Sequence, residues 1–523
     1  MGPPCPVEAF PADLPAGTLH VLDGAAGGGD GSAALPFATL AEAIAVVSAG
    51  DTIALSRGTF EETAVLREAV TLRGACSLET AIVAPSAGAT TLRVAGGARI
   101  QDLRIGGPRV GIQATVGVGA VGLDSVVIAG ATAVGLLVDP RASVEAVDVV
   151  IRDTASAAGD GGQGIEAAPG ARLVIDRAVL ERNHNVGIVA AGAEIDATDL
   201  AVVDTEGREG DGAFGYGVQA TGGTMLDLER AVFQGNRVLG LLLAEEGTSL
   251  TALDFVIRST REDTAGLSGG ALEIRLDAAA QVERATLDDN GGGAVFVTEG
   301  ATIVLRDVVV RDTRAHSGDG DYGYGLDVSG GAFADLGRVA ILRSKTVGVA
   351  VLEPGTSLIA ADLRIEETES RPSNGKAGMG LEVTGGASVT LQRAALRANR
   401  VAGVYVAIDG SAATLEGILV EGTLPAACAA TDCADLAGGT AIVTFADATV
   451  VATDFRLSDS ALCGVQLALG ATVDLHSGEI SRNLIGANVQ TEGFDVGRLE
   501  DGVVYRDNQR DLDAEALPIP QVE

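Results

Sequence analysis

Two segments of the chain pair carboxylates with aromatic rings at the same spacing: GDGAFGYG at 210–217 and GDGDYGYG at 318–325. They supply Asp211, Asp319 and Asp321 together with Phe214, Tyr216, Tyr322 and Tyr324, and a neighbouring segment adds Asp160. Three chemistries fit such a set. Aromatic faces stack on sugar rings while acids accept sugar hydroxyls, which makes a polysaccharide-binding strip. Calcium takes carboxylate and carbonyl oxygens from tight Gly-containing loops, so calcium is the one cofactor this pattern allows; no other is indicated. Asp-Gly pairs are also what long turns use for purely conformational reasons, with the aromatics folded back over the edge of the fold. His316, three residues before Asp319, is the best single candidate for acid–base work and joins the binding set.

These residues sit in inserts of a repeat. GLDVSGGAFADLGRVAILRSKTV from Gly325 matches GLEVTGGASVTLQRAALRANRVA from Gly380 at a constant offset of 55, the signature of a repeat architecture. Marker glycines extend the repeat outward, and from Gly164 to Gly439 they are spaced 23, 30, 23, 30, 23, 32, 23, 32, 23 and 36 residues apart. Each long interval contains an insert after a threonine: 155–163, 206–216, 261–269, 314–324, 369–379 and 424–438. Because all six leave the same corner, they are expected to project from one flank, and inserts confined to one face of a solenoid often mark its binding face. The corner itself holds Asn183, Asn236, Asn290, Asn399 and Asn483 in short intervals, with Ser344 the one exception, and Thr154, Thr205, Thr260, Thr313, Thr368 and Thr423 in long ones. Buried asparagine ladders are the structural reading of that column.

Within one interval, GIVAAGAEIDATDLAVVDT alternates so that Ile188, Ala190, Ile195, Ala197, Leu200 and Val202 fall on one side and Glu194, Asp196 and Asp199 on the other. Three short strand-like runs per interval, stacked on their counterparts, predict an all-β chain: a single-stranded parallel β-helix with three strands per coil, alternating 23-residue and 30–36-residue coils. Parallel crossovers make it right-handed. Thr39 and Glu42 have capping-box spacing before Leu40, Ala43, Ile44 and Val47, predicting a short N-terminal helix that covers the first coil. The expected organisation is an arm, capping helix and first strands over 1–64, the β-helix over 65–495, and a C-terminal cap and tail over 496–523.

Composition agrees with thin, tightly wound layers: aromatics are 3%, tryptophan is absent and there are 72 glycines. A net charge of −35 disfavours nucleic acid and anionic membranes as partners and favours cations and basic surfaces. No apolar run reaches the roughly 18–20 residues that span a bilayer. The start, MGPPCPVEAF, has neither the n-region nor the h-region of a signal peptide, so a mature sequence whose signal has been removed is expected, secreted or displayed on the cell surface. The cysteines fit that compartment, with Cys428 and Cys433 as a local disulfide, Cys5 and Cys76 as a second, and Cys463 left over.

The opening DGSAALPFATLAEAI, followed by GDTIALSRGTF and VTLRGA, resembles the N-terminal entry of bacterial secreted right-handed parallel β-helix repeat proteins of the pectin-lyase-like superfamily, and the coils from about residue 90 to 490 resemble its repeats. That resemblance implies the fold over nearly the whole chain and leaves function open, since the superfamily spans lyases, hydrolases, epimerases, adhesins and proteins without known activity. Of the NTD, DD, GHG and RIK motifs of its pectin hydrolases only Asp288-Asp289 is matched. Arg306 and Arg311 offer a lyase base no better than any outward arginine, and YGYGLDV departs from the epimerase pattern YG-x-DPH after its glycines. No catalytic set is therefore assigned. The first reading is a non-catalytic binding or scaffold protein using the insert face, with an extracellular polysaccharide or another surface protein as partner. The alternative is a carbohydrate-active enzyme, a polysaccharide lyase or glycoside hydrolase on an extracellular polymer; a third is a passenger-like fragment of a larger surface protein. A groove lined by acids with a basic residue would favour the enzyme, and a flat insert face would favour binding.

Overall fold

The computed structural model describes residues 5, 7–67, 69–156, 161–428 and 438–519. They form two compact units, residues 1–242 with 247–252, and 243–246 with 253–523. Both units have the same build, a right-handed parallel β-helix of two long sheets whose strands pair in parallel. In the first unit Ser143–Arg152 pairs with Arg172–Glu181, which pairs with Glu194–Val203. In the second, Thr302–Arg311, Phe333–Leu342 and Ser357–Glu366 do the same. The other sheet of the second unit runs from Gly270–Arg275 through Tyr324–Val328, Val347–Leu352, Met379–Thr384 and Ala402–Ala407 to Thr440–Phe445 and beyond. Its interior is small and branched: Ile303, Leu305, Val308, Val310, Leu326 and Val328 are at most 1% exposed.

The three expected runs per coil are present, but in most coils two of them fuse into one ten-residue strand bent at a single left-handed residue, Asp148 in Ser143–Arg152 and Asp307 in Thr302–Arg311. The bends alternate in charge along the axis: Asp148, Arg177, Asp199 and Arg230 in the first unit, and Asp254, Arg284, Asp307, Arg338, Asp362 and Arg393 in the second, all at φ between 52° and 58°. Each arginine grips the aspartate of the preceding coil through two hydrogen bonds, at 2.8 and 2.9 Å for Arg177 with Asp148 and 2.7 and 3.0 Å for Arg393 with Asp362. Aspartate tolerates this backbone region through local hydrogen bonding; the fork of the arginine is what its own strained position gains.

Register corrects the marker positions. Gly325 aligns with Ala294 rather than Gly293, Ala294 with Ala271 rather than Gly270, and Gly403 with Ala441 rather than Gly439. The last long coil is therefore 38 residues rather than 36. The repeat requires a small residue there, and a neighbouring glycine in the sequence mimics it by one or two places. The corner column is structural, though not as asparagine stacked on asparagine: Asn399 Oδ1 accepts the Thr368 N–H at 3.1 Å and its Nδ2 donates to Ile365 O at 3.1 Å, and Asn183 serves Thr154 and Ile151 likewise. Alternation of long and short coils puts threonine, not asparagine, on the adjacent rung, except at the end of the column, where Asn483 Nδ2 donates to Asn508 Oδ1 at 3.2 Å.

The N-terminal helix spans Leu40–Val46 behind a Thr39–Glu42 capping box, and the Glu62 carboxylate also accepts the Leu40 and Ala41 N–H groups. Strands occur before residue 65, from Leu19–Val21, and continue past 495 to Arg510–Asp513, so the C-terminal segment contains a further coil. Cys5 is bonded to Cys76. Cys428 is in a disulfide, while its expected partner Cys433 lies outside the described residues. Cys463 is a buried free thiol that burial pushes up to about 12. No helix among the described residues is long and apolar enough to cross a membrane.

Candidate active site

The strand Met379–Thr384 follows an insert and alternates in the usual way: Leu381 and Val383, fully buried, enter the core, which turns Glu382 to the outer face. That face is not bare. The preceding insert folds back over it, held by Ser370 Oγ donating to Ala377 O at 3.1 Å and Arg371 N donating to Lys376 O at 2.7 Å. Ala377 and Met379 close an external apolar cluster with Val347, Ala350, Val401, Ala402 and Tyr405. In this insert Ala377 and Met379 are buried against the second sheet, while its tip residues 372–374 are exposed.

Under this cover Glu382 is 5% exposed, and its carboxylate accepts no hydrogen bond from any described residue. Burial, with Asp327 adding repulsion and Arg371 opposing both, pushes its carboxyl up to about 7. Asp327 occupies the same outward column two rungs earlier, in register through Ala350. Burial pushes its carboxyl up to about 6, against a 3.0 Å hydrogen bond donated by Ser329 Oγ.

Glu382 opens onto a cleft of about 400 Å³. It is lined by Asp321, Tyr322, Tyr324 and Arg371 from two inserts, by Leu352 and Thr384 on strands, and by Glu353 and Gly385 at turns. Arg371 is mostly buried, and its Nε lies 3.8 Å from Asp321 Oδ1 with no hydrogen-bond partner. Asp321 accepts a 2.6 Å hydrogen bond from Ser373 Oγ. Tyr322 is 47% exposed and stands between His316 and Tyr324, at ring separations of 4.7 and 5.7 Å. Burial pushes the Tyr324 phenol up to about 12. A carboxyl that exchanges its proton near neutrality, a guanidinium, further carboxylates and an open aromatic face form a set suited to acid–base chemistry on a polyhydroxylated chain.

The expected site residues divide. His316, Asp319, Asp321, Tyr322 and Tyr324 come together in the second unit, but only Asp321 and the two tyrosines reach the cleft. His316 ties inserts to one another: its Nε2 accepts the Ser268 N–H at 3.0 Å, and its Nδ1 lies 3.5 Å from Asp319 Oδ1. Glu262 holds Ser317 across the same junction, and Ser373 N donates to Gly320 O at 3.2 Å across the next. Within this unit the inserts therefore do share one flank. In the first unit Glu209 N donates to Ser156 Oγ at 2.7 Å, again joining two inserts. There Asp211 pairs with Arg208, whose guanidinium lies 4.7 Å over Phe214, and Tyr216 meets Phe214 edge-on at 5.4 Å. The likeness of the two inserts is conformational: Phe214 and Tyr322 are both left-handed, with φ of 63° and 60°. Asp160 lies outside the described residues.

Among the described residues, the one cluster of three or more potential metal ligands is Cys5, Cys76 and Glu79, and its two sulfurs are bonded to each other. Asp319 is occupied by the Asp321 N–H, and Asp211 by the Ala213 N–H and Arg208. Sequence reasoning missed Glu382, Asp327, Glu353 and Arg371. Counted from the register-corrected markers, the second residue is Glu166, Gln219, Glu273, Asp327 and Glu382 in five long coils and Val443 in the sixth, but Val189, Leu242, Phe296, Ala350 and Tyr405 in short ones; counted from Gly270 and Gly293 the pattern is broken by Leu272 and Val295.

No protein-family model and no curated relative matches the chain. Among solved structures it is similar to pectate lyase Pel9A, with 13% identity and a TM-score of 0.38 over 57% of this chain and 78% of that one. It is also similar to the catalytic unit of a thermostable GH87 α-1,3-glucanase from Streptomyces thermodiastaticus strain HF3-3, with 13% identity and a TM-score of 0.30 over 98% of this chain and 71% of that one. At these scores the likenesses carry no activity over to this chain.

Proposed function

We propose that the protein is a carbohydrate-active enzyme acting on a polymer outside the cytoplasm, with its active site in the cleft of the second unit. The observation that carries this reading is Glu382, a buried carboxyl without a hydrogen-bond donor that opens onto a cleft with a guanidinium, two further carboxylates and an exposed tyrosine face. Burial raises the cost of its charged form, so it holds a proton nearer neutrality than an ordinary carboxylate does, and it faces a cleft that a substrate can enter. Tyr322 offers a stacking surface for a sugar ring, and Asp321 and Glu353 offer acceptors for its hydroxyls. The acidic groove with a basic residue speaks for the enzyme over a flat binding face, and the Cys5–Cys76 disulfide supports an oxidising compartment.

The test is incubation of the purified chain and Glu382→Gln with a panel of acidic and neutral polysaccharides, measuring new chain ends. Cleavage by the native chain and at least a hundredfold loss in the variant, with an unchanged circular dichroism spectrum, is expected. Equal cleavage by both proteins would remove Glu382 from the chemistry.

A further inference from the structure

We propose that the cleft hydrolyses an uncharged polysaccharide and does not eliminate across a polyuronate. The inference rests on the carbohydrate-active reading above and narrows it. Three carboxyl groups, Asp321, Glu353 and Glu382, face the cleft against the single guanidinium of Arg371, which already lies 3.8 Å from Asp321. A uronate chain would bring a carboxylate on every ring into that field, inside a protein of net charge −35. Elimination also needs that carboxylate neutralised and a base for the proton beside it. Among the described lining residues there is no histidine or lysine, the Tyr324 phenol, pushed up to about 12, holds its proton at neutral pH, and the one arginine, Arg371, lies beside Asp321 and cannot serve at once as the neutralising cation and the base.

A neutral glycan meets none of these obstacles. Its hydroxyls donate to Asp321 and Glu353, and its apolar ring face packs on Tyr322 and Leu352. Glu382 in its protonated form then gives its proton to the glycosidic oxygen. The bond from the anomeric carbon to that oxygen breaks, with its electron pair going to the oxygen. Water adds to the anomeric carbon and yields its own proton to Asp321, from which it returns through solvent to Glu382. The balance is one water consumed and one glycosidic bond replaced by a hydroxyl and a reducing end.

The experiment incubates the full chain at pH 5 to 8 with neutral glucans, mannans and xylans, and separately with polygalacturonate and alginate, reading reducing ends and unsaturated ends in parallel. Reducing ends from a neutral polymer without unsaturation, reduced at least a hundredfold in Glu382→Gln and in Asp321→Asn, are expected. Unsaturated ends from a uronate polymer would overturn this inference while leaving the carbohydrate-active reading standing; no cleavage of any polymer would overturn both. Affinity electrophoresis of Glu382→Gln gives a second, activity-independent reading: retardation by a neutral polymer is expected, and retardation by polyuronates alone overturns the proposal.

Discussion

Asp327 and Glu382 face outward at the same position of one sheet, two rungs apart, with Ala350 as the residue between them. At ~4.8 Å per rung their backbone positions are ~9.6 Å apart, close enough for Glu382 to feel the charge of Asp327. The methyl side chain of Ala350 leaves this stretch of the column thin, whereas Phe296 separates Asp327 from Glu273 and Tyr405 follows Glu382.

The first prediction is a stability difference that depends on pH. Glu382 moves from 4.5 to about 7 and Asp327 from 3.8 to about 6, both raised above their unfolded values. The folded state holds these protons more tightly, so their contribution is complete below about pH 4 and is lost as pH rises through about 6 and then 7. Glu382→Gln abolishes its share and is therefore more stable than the native chain above pH 7, by an amount of order 3 kcal/mol, and nearly equal to it at pH 4. Urea unfolding at the two pH values measures this; a difference that grows toward low pH would contradict it.

Arg371 opposes the rise of the Glu382 pKa. Replacing it with methionine, which keeps much of the apolar bulk, pushes the carboxyl higher still and moves the alkaline limb of kcat against pH upward. If cleavage is found, that shift separates an electrostatic role from simple substrate contact, which would raise KM and leave the limb in place.

Asn399 is 1% exposed and satisfies two backbone groups of the preceding long coil. Asn399→Ala leaves the Thr368 N–H and the Ile365 carbonyl buried without partners, and a loss of about 2–4 kcal/mol is expected from chemical denaturation. Asn399→Asp restores the acceptor and not the donor, and brings an ionisable group into the wall, so it does not rescue.

Asp307 is left-handed and sits at the surface, paired with Arg338 through bonds of 2.5 and 2.6 Å. Exposed ion pairs stabilise little, whereas the backbone at φ 56° excludes β-branched residues. Asp307→Gly should therefore melt close to the native chain and Asp307→Val clearly below it, a ranking that differential scanning calorimetry reads directly.

Much was determined by the sequence alone. The constant offset of 55, the alternation around Ile188 and Leu200, and the Thr39–Glu42 spacing dictate parallel coils and a capped helix, because strand alternation and helix capping are local properties. The insertion corner was equally legible, since a fixed place in a repeat is a fixed place on its circumference. Which small residue completes each rung was not legible, because Gly293 and Ala294 differ only in the partner they meet. The cleft was less so. Glu382 was one outward acid among 71 acidic residues until the 369–379 insert folded over it, and desolvation, which turns an ordinary carboxylate into one that titrates near 7, depends on what lies above a residue rather than on its neighbours in the chain. His316 moved the other way: its proximity to Asp319 in sequence suggested chemistry, but the packing of one insert against another made it a tie to Ser268.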